Sequence, residues 1–212
     1  MEEKAVIIFG ASGLGRVVSD IFLSRNILTF CYLDDDETLH NQELNDVMVM
    51  SSTDDDGFLK YIGNKCQAFV AVENREERID IIEMLKKKRK VMPVNAIHDK
   101  AIVSESAHIE HGNLINAGAI INPNSKILNH CIIHSNAIIE YEATLADFVQ
   151  VGTGAIISAK AEIGEGALIG AGAVIATGVK VGKGAQVAPG AVVLQHIGEE
   201  AIVFGNPAQG RK

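Results

Sequence analysis

From Ile97 onward every sixth residue of this 212-residue chain is aliphatic, and the register runs unbroken through seventeen positions to Val193. Ile109, Ile115, Ile121 and Ile127 lie in its first part, Leu145 and Val151 in the middle, Val181 and Val187 near the end. A period of six fits neither the 3.6-residue repeat of a helix nor the two-residue alternation of a simple strand. It fits short strands joined by tight turns, three to a coil of about 18 residues. Two residues ahead of each aliphatic position runs a second register of small side chains, including Ala101, Ala107, Ala119, Ala137 and Ala155, with Ser125 and Cys131 among the exceptions. The aliphatic side chain is expected to point inward and the small one to sit at a tight corner. Gly152, Gly164, Gly170 and Gly182, just after the aliphatic position, are expected to supply permissive turn geometry. Each fully buried Val, Ile or Leu contributes ~1.5–3 kcal/mol. The predicted structure over residues 97–193 is a left-handed parallel β-helix of hexapeptide repeats with no long loop between its coils.

The first part of the chain has no such register. Ala5 to Phe9 reads as a buried strand, Gly10-Ala-Ser-Gly-Leu-Gly15 follows it, and Arg16 to Leu23 is helix-like. The glycines therefore fall at a strand-to-helix turn, where backbone N–H groups can hold an anion. Phe30 to Leu33 reads as a second strand ending in Asp34, Asp35 and Asp36, which puts carboxylates where a ribose or base edge lies in such folds; a solvated turn accounts for them nearly as well. Ala68 to Val72 is a third strand and Glu76 to Lys90 a second helix. The sum is a Rossmann-like α/β domain with a sheet of three or four parallel strands, too small for a complete dinucleotide fold. Its glycine spacing is GxxGxG rather than GxGxxG, which favours a nucleotide sugar or a purely structural turn over a redox cofactor. The expected domains are 1–94, Rossmann-like, and 95–212, the β-helix with a C-terminal tail.

Charge narrows the partners. The net charge of −8 opposes nucleic acid and anionic membranes, which are held by clustered Lys and Arg. The one basic run, Lys86 to Lys90, closes a predicted helix, where cations are favoured. No apolar run is long enough to span a bilayer, and Met1 to Lys4 lead straight into a strand with no signal peptide. Cys31, Cys66 and Cys131 are odd in number and widely spaced, which suggests neither a disulfide framework nor a zinc site and points to the cytoplasm.

GASGLG at residues 10–15, LDD at 33–35, the hexapeptides, IIEYEATLADFVQVGTGA from Ile138 to Ala155 and GNPA at 205–208 occur here in an order and spacing that cover nearly the whole chain. In these the chain resembles the bacterial nucleotide-sugar N-acetyltransferases and the related sialic acid O-acetyltransferase-like proteins. The resemblance implies a homotrimer holding acetyl-CoA between adjacent β-helices, with the amino-sugar nucleotide against the N-terminal domain. It places the nucleotide sugar at Ser12, Gly13, Leu14, Asp34, Asp35 and Glu73. The cofactor falls near Gln150, Ala159, Ala171 and Pro189, with the Ala159 N–H on the thioester carbonyl. The catalytic position falls at Tyr141, followed by Glu142. The family has a histidine base where this chain has Tyr141, a second histidine where it has Gln150, a third where it has Leu14, and glycine where it has Glu73. A phenol, with an ordinary pKa of ~10, accepts a proton poorly at pH 7. Loss of a general base typically costs ~10²–10⁴ in rate. Tyr141 shares its corner with Glu105, Pro123, Ala159 and Thr177, while His111, His130 and His134 fall at other corners, and His196 is one step off but three coils away. His111 and His130 nearly stack without a third ligand in phase, so they are expected at the surface, without a metal. The expected activity is acetyl transfer to an amino group of a nucleotide-activated sugar in surface-glycan biosynthesis. The alternatives are a trimeric sugar-nucleotide-binding homologue with little catalysis and a metal-dependent hydratase.

Overall fold

The computed structural model describes residues 4–210, which divide into two compact units, one ending at Ala96 and the other beginning at Ile97. The first unit opens with β1 (Ala5–Phe9), α1 (Gly13–Ser24) and β2 (Thr29–Leu33). Then come β3 (Glu43–Leu44), β4 (Val47–Ser51), the single-turn α2 (Asp56–Leu59), β5 (Cys66–Val70) and α3 (Arg75–Arg89). The strand order is β3-β4-β2-β1-β5. Four strands are parallel as expected, and the fifth, β3, is an antiparallel edge that the sequence reading did not include. Asn45 and Asp46, both with φ above +50°, make the two-residue turn that joins β3 to β4.

Two boundaries differ from expectation in ways that shape the site. The first helix starts at Gly13 rather than Arg16, so the glycine motif is part of its first turn. A Cβ on Gly15 would strike the carbonyl oxygen of Gly10, which is why the helix can begin so close to β1. β5 ends at Val70, two residues early; the Ala71 N–H makes the last ladder bond, to the Phe9 carbonyl (2.7 Å). Helix α3 is capped by the Asn74 side chain, which accepts from the amides of Glu76 and Glu77. Its basic end is occupied locally: Lys88 pairs with Asp56 at 3.0 Å and Arg89 donates to the Ile62 carbonyl at 2.8 Å.

The second unit is the expected left-handed parallel β-helix. Its two-residue strands fall into three faces. Face one carries Ile102–Val103, Ile120–Ile121, Ile138–Ile139, Ile156–Ile157, Val174–Ile175 and Val192–Val193. Face two carries His108–Ile109, Lys126–Ile127, Thr144–Leu145, Glu162–Ile163 and Lys180–Val181. Face three carries Leu114–Ile115, Ile132–Ile133, Gln150–Val151, Leu168–Ile169 and Gln186–Val187, and continues through Ile202–Phe204 to a short antiparallel strand, Gln209–Gly210. Partners on a face are one coil apart, as in Ile121↔Ile139 and Ile139↔Ile157. The aliphatic and small registers together form the interior: Ile121 to Val193 and Ala119 to Ala191 are almost wholly buried.

The glycines do not play the part expected of them. Gly152, Gly164 and Gly170 lie outside the left-handed region, but a Cβ on any of them would fall 2.5–2.6 Å from the backbone nitrogen of Ala171, Lys183 or Pro189 in the next coil. Gly182 is hemmed in the same way by Glu199. These glycines permit close stacking, not an unusual φ. The left-handed residue of each turn lies two positions further on, at every sixth residue from Gly112 to Gly190, with φ between 58° and 71°. Eight of these fourteen positions are glycine; the others are Asn124, His130, Asn136, Glu142, Phe148 and Lys160. Asn tolerates this conformation, whereas Glu, Phe and Lys each pay about 1–2 kcal/mol for it.

Candidate active site

In the N-terminal unit the glycine turn is pinned from the next strand. Asp34, at the end of β2, accepts the Ala11 N–H at 2.7 Å and the Asp36 N–H at 2.9 Å, while Gly10 N–H donates to the Leu33 carbonyl. Asp35 accepts both the amide (2.8 Å) and the hydroxyl (3.0 Å) of Thr53. Both carboxylates thus brace loops at the C-terminal ends of the parallel strands, the edge where ligands bind in open α/β sheets. A cleft of about 960 Å³ opens there. Ser12, Gly13, Asp34, Asp35 and Glu73 line it, and α3 adds Glu77, Asp80, Ile81 and Met84. Leu14 does not: it is 6% exposed and packs in the core. Sequence spacing could not separate it from its neighbours, because one step along a helix turns a side chain from ligand to core.

The cleft is strongly acidic. Asp36, Asp54, Glu73, Glu77 and Asp80 join Asp34 and Asp35 in its wall, and no Lys, Arg or His lines it among the described residues. Hydrogen bonds from the Thr38 hydroxyl and amide hold Asp36 below the usual carboxylate range. Arg78 lies behind the wall, donating to the carbonyls of Val72 (2.7 Å) and Glu73 (3.2 Å). The start of α1 offers an anionic group entering the cleft backbone donors. There the first-turn amides have no partner within the helix, and Ser12 caps without using its side chain.

In the β-helix, Tyr141, Glu142 and Ala159 come together at the corner between faces one and two. Tyr141 is 47% exposed, and its carbonyl accepts the Lys160 N–H from the next coil at 3.1 Å. The Glu142 and Lys160 side chains pair at 3.7 Å. Both are about half-exposed, so the pair contributes no more than ~0.2–1 kcal/mol. Ala159 is nearly buried, and its carbonyl accepts from Gly178. Ala171 and Pro189 stack one coil apart at the corner between faces three and one, joined by Gly190 N–H to the Ala171 carbonyl (2.8 Å). Gln150 lies on face three, its amide 3.0 Å from His134 Nε2. Ala159 alone of the predicted cofactor positions shares the Tyr141 corner; Ala171 and Pro189 of the same chain sit at the opposite edge of face one, and Gln150 lies on face three.

His111 and His196 are exposed. His130 is not at the surface as expected: it is 3% exposed and stacked on the Phe148 ring at 5.1 Å, because both residues take the left-handed position of successive coils. His196 Nδ1 accepts the Lys180 N–H at 3.0 Å. Among the described residues no three ligating side chains are grouped to hold a metal, and no helix is long and apolar enough to cross a membrane. Cys31, Cys66 and Cys131 are free and buried, and burial pushes the Cys31 thiol up to about 12.

The fold joins a Rossmann-like α/β unit to a hexapeptide-repeat β-helix, the architecture of an acyltransferase. Residues 5–85 match the PglD N-terminal domain, and residues 160–195 the bacterial transferase hexapeptide (six repeats). The two modules thus lie in the order expected of a nucleotide-sugar acetyltransferase. It is similar to the acetyltransferase domain of PglB from Neisseria gonorrhoeae, solved also with acetyl coenzyme A: 28% identity and TM-score 0.90 over 99% of this chain and 100% of that one. It is similar as well to GDP-perosamine N-acetyltransferase from Caulobacter crescentus, solved with CoA and GDP-perosamine: 26% identity and TM-score 0.89 over 98% and 97% of the two chains. WeeI from Acinetobacter baumannii shares the fold at 24% identity and TM-score 0.78, over 98% of this chain and 99% of that one. A comparison with curated proteins finds no significant match.

Proposed function

We propose that this protein transfers the acetyl group of acetyl-CoA to an amino group of a nucleotide-activated sugar, in surface-glycan biosynthesis. The observation that carries this reading is the end-to-end structural match to a sugar-nucleotide N-acetyltransferase solved with CoA and its nucleotide sugar. In the N-terminal unit, the start of α1 at Ser12 and Gly13 receives the diphosphate, since the first-turn amides there have no partner within the helix. Asp34, Asp35 and Glu73 shape the cleft for ribose and base.

Acetyl transfer falls to the β-helix. The amine must first lose its ammonium proton, and Glu142 is the carboxylate placed to take it, with the Tyr141 hydroxyl orienting the acceptor. The amine nitrogen then bonds to the thioester carbonyl carbon while the Ala159 N–H stabilises the developing oxyanion. The C–S bond breaks, sulfur leaves with the electron pair, and the second proton lost by nitrogen ends on the CoA thiol. Gln150, Ala171 and Pro189 line the path of the cofactor.

A homotrimer completes this site. Face one presents an outward ladder of Ile102, Ile120, Ile138, Ile156, Val174 and Val192, where face two presents His108, Lys126, Thr144, Glu162 and Lys180. An aliphatic face of this length favours burial against another copy. That burial brings the Tyr141 corner of one copy toward the Ala171 and Pro189 corner of its neighbour. Three buried free thiols suit the reducing cytoplasm.

Variants of Tyr141 test the division of labour, read as CoA release with UDP-, GDP- and dTDP-amino sugars. If the Tyr141 hydroxyl orients the acceptor, Tyr141→Phe lowers kcat and Tyr141→His gives no gain. A rise on Tyr141→His with no loss on Tyr141→Phe would show instead that only a weakened base stands there. Tyr141 also favours a second reading, a homologue that binds the nucleotide sugar with little catalysis. Binding of a nucleotide sugar without CoA release by the parent and all variants would establish that reading.

A further inference from the structure

We propose that Lys160 is a positioning residue for acetyl transfer, its ammonium holding the Glu142 carboxylate in place beside Tyr141. The inference rests on the acetyltransferase reading and gives a role to a residue which that reading leaves without one.

Lys160 reaches both partners at once. Its N–H donates to the Tyr141 carbonyl at 3.1 Å and its ammonium lies 3.7 Å from Glu142 Oε2. Glu142 and Lys160 occupy the left-handed position of successive turns, with φ of 59° and 60°. Gly178 fills that position in the following coil at φ 69°. The backbone strain of two non-glycine residues there exceeds what their half-exposed ion pair returns in stability. A pair that lowers stability on balance, next to the predicted catalytic tyrosine, is the pattern expected of groups held for chemistry rather than for the fold. A nearby bridge makes the contrast. Lys183 and Glu165 pair at 3.1 Å with similar exposure, but the left-handed positions beside them are glycines, Gly166 and Gly184, so that bridge carries no backbone strain.

The left-handed slot also supplies a clean test, because glycine fits it better than lysine does. Lys160→Gly should leave the melting temperature unchanged or raised, whereas kcat for CoA release with the best amino-sugar nucleotide falls about tenfold or more and KM for acetyl-CoA stays within about twofold. Lys160→Arg, which keeps the charge, should retain at least about a third of parental kcat. Glu142→Gln should fall as far as Lys160→Gly, and the double variant no further, since Lys160 acts through Glu142. Glu165→Gln, which breaks the comparison bridge, should stay within about twofold of the parent. The proposal is overturned if Lys160→Gly keeps kcat within about twofold of an active parent, or if the double variant loses the product of the two single effects. An inactive parent overturns the acetyltransferase reading and this inference with it, and is distinguished by the absence of any CoA release before a substitution is made.

Discussion

Gly152 and Gly154 sit two residues apart in one turn, and the structure assigns them opposite reasons for being glycine. A Cβ on Gly152 would lie 2.5 Å from the Ala171 nitrogen, 2.8 Å from the Gly170 carbonyl carbon and 2.9 Å from the Ala171 Cα. All three are backbone atoms of the next coil, which cannot move aside as a side chain can. Gly152→Ala must therefore push two coils apart, an overpacking cost of about 1–3 kcal/mol. At about 2–4 °C per kcal/mol for a chain of this size, the melting midpoint should fall by roughly 2–12 °C. Gly154 has φ of 66° and nothing within 4 Å of an added Cβ. Asparagine already occupies the equivalent slot at 124 and 136, so Gly154→Asn should change stability by less than about 0.5 kcal/mol, near 1–2 °C. Thermal melts followed by far-UV circular dichroism compare the two variants directly. Gly154→Asn destabilising as much as Gly152→Ala would refute the separation of close approach from left-handed backbone on which this description of the coil depends.

Three further outcomes follow from the packing. Asp34→Ala strips acceptors from the Ala11 and Asp36 amides and should cost about 1–3 kcal/mol in denaturant melts, together with loss of nucleotide-sugar affinity; an unchanged melt would mean that the glycine turn holds itself. With its thiol pushed up to about 12 by burial, Cys31 should be alkylated by iodoacetamide at pH 8 about 10³-fold more slowly in the folded protein than in urea, measured by peptide mass spectrometry; equal rates would contradict the burial. Ile138→Glu combined with Ile156→Glu places carboxylates on the aliphatic ladder of face one and should convert trimers to monomers by light scattering at micromolar concentration; a trimer that persists would move the subunit interface to another face.

The period of six made the β-helix legible because all seventeen aliphatic positions keep one phase, and a phase is visible in letters alone. What letters do not carry is why a glycine is there. Gly152 and Gly154 look alike in sequence, and only the distance to the next coil separates steric from conformational need. The left-handed slot was hidden further by Glu142, Phe148 and Lys160, residues that local propensity would not assign to it. In the N-terminal unit the strand-turn-helix around GASGLG was readable, while the β3–β4 hairpin was not recognised, although Asn45-Asp46 ahead of Val47 to Ser51 is a turn signal of the usual kind. The acidic run at 34–36 was legible as the end of a strand. That Asp34 and Asp35 are already bonded to Ala11 and Thr53 was not, because those partners are distant in sequence. Leu14 shows the same limit, its neighbours facing the cleft and its own side chain facing the core.

The central claim is tested most directly by incubating the purified protein with acetyl-CoA and UDP-, GDP- and dTDP-linked amino sugars, following free thiol, and identifying the sugar product by mass spectrometry. Stoichiometric thiol release with one acetylated amino-sugar nucleotide, absent when the sugar lacks its amine, is the predicted result. Tight binding of a nucleotide sugar with no thiol release and no acetylated product from any of them would contradict it.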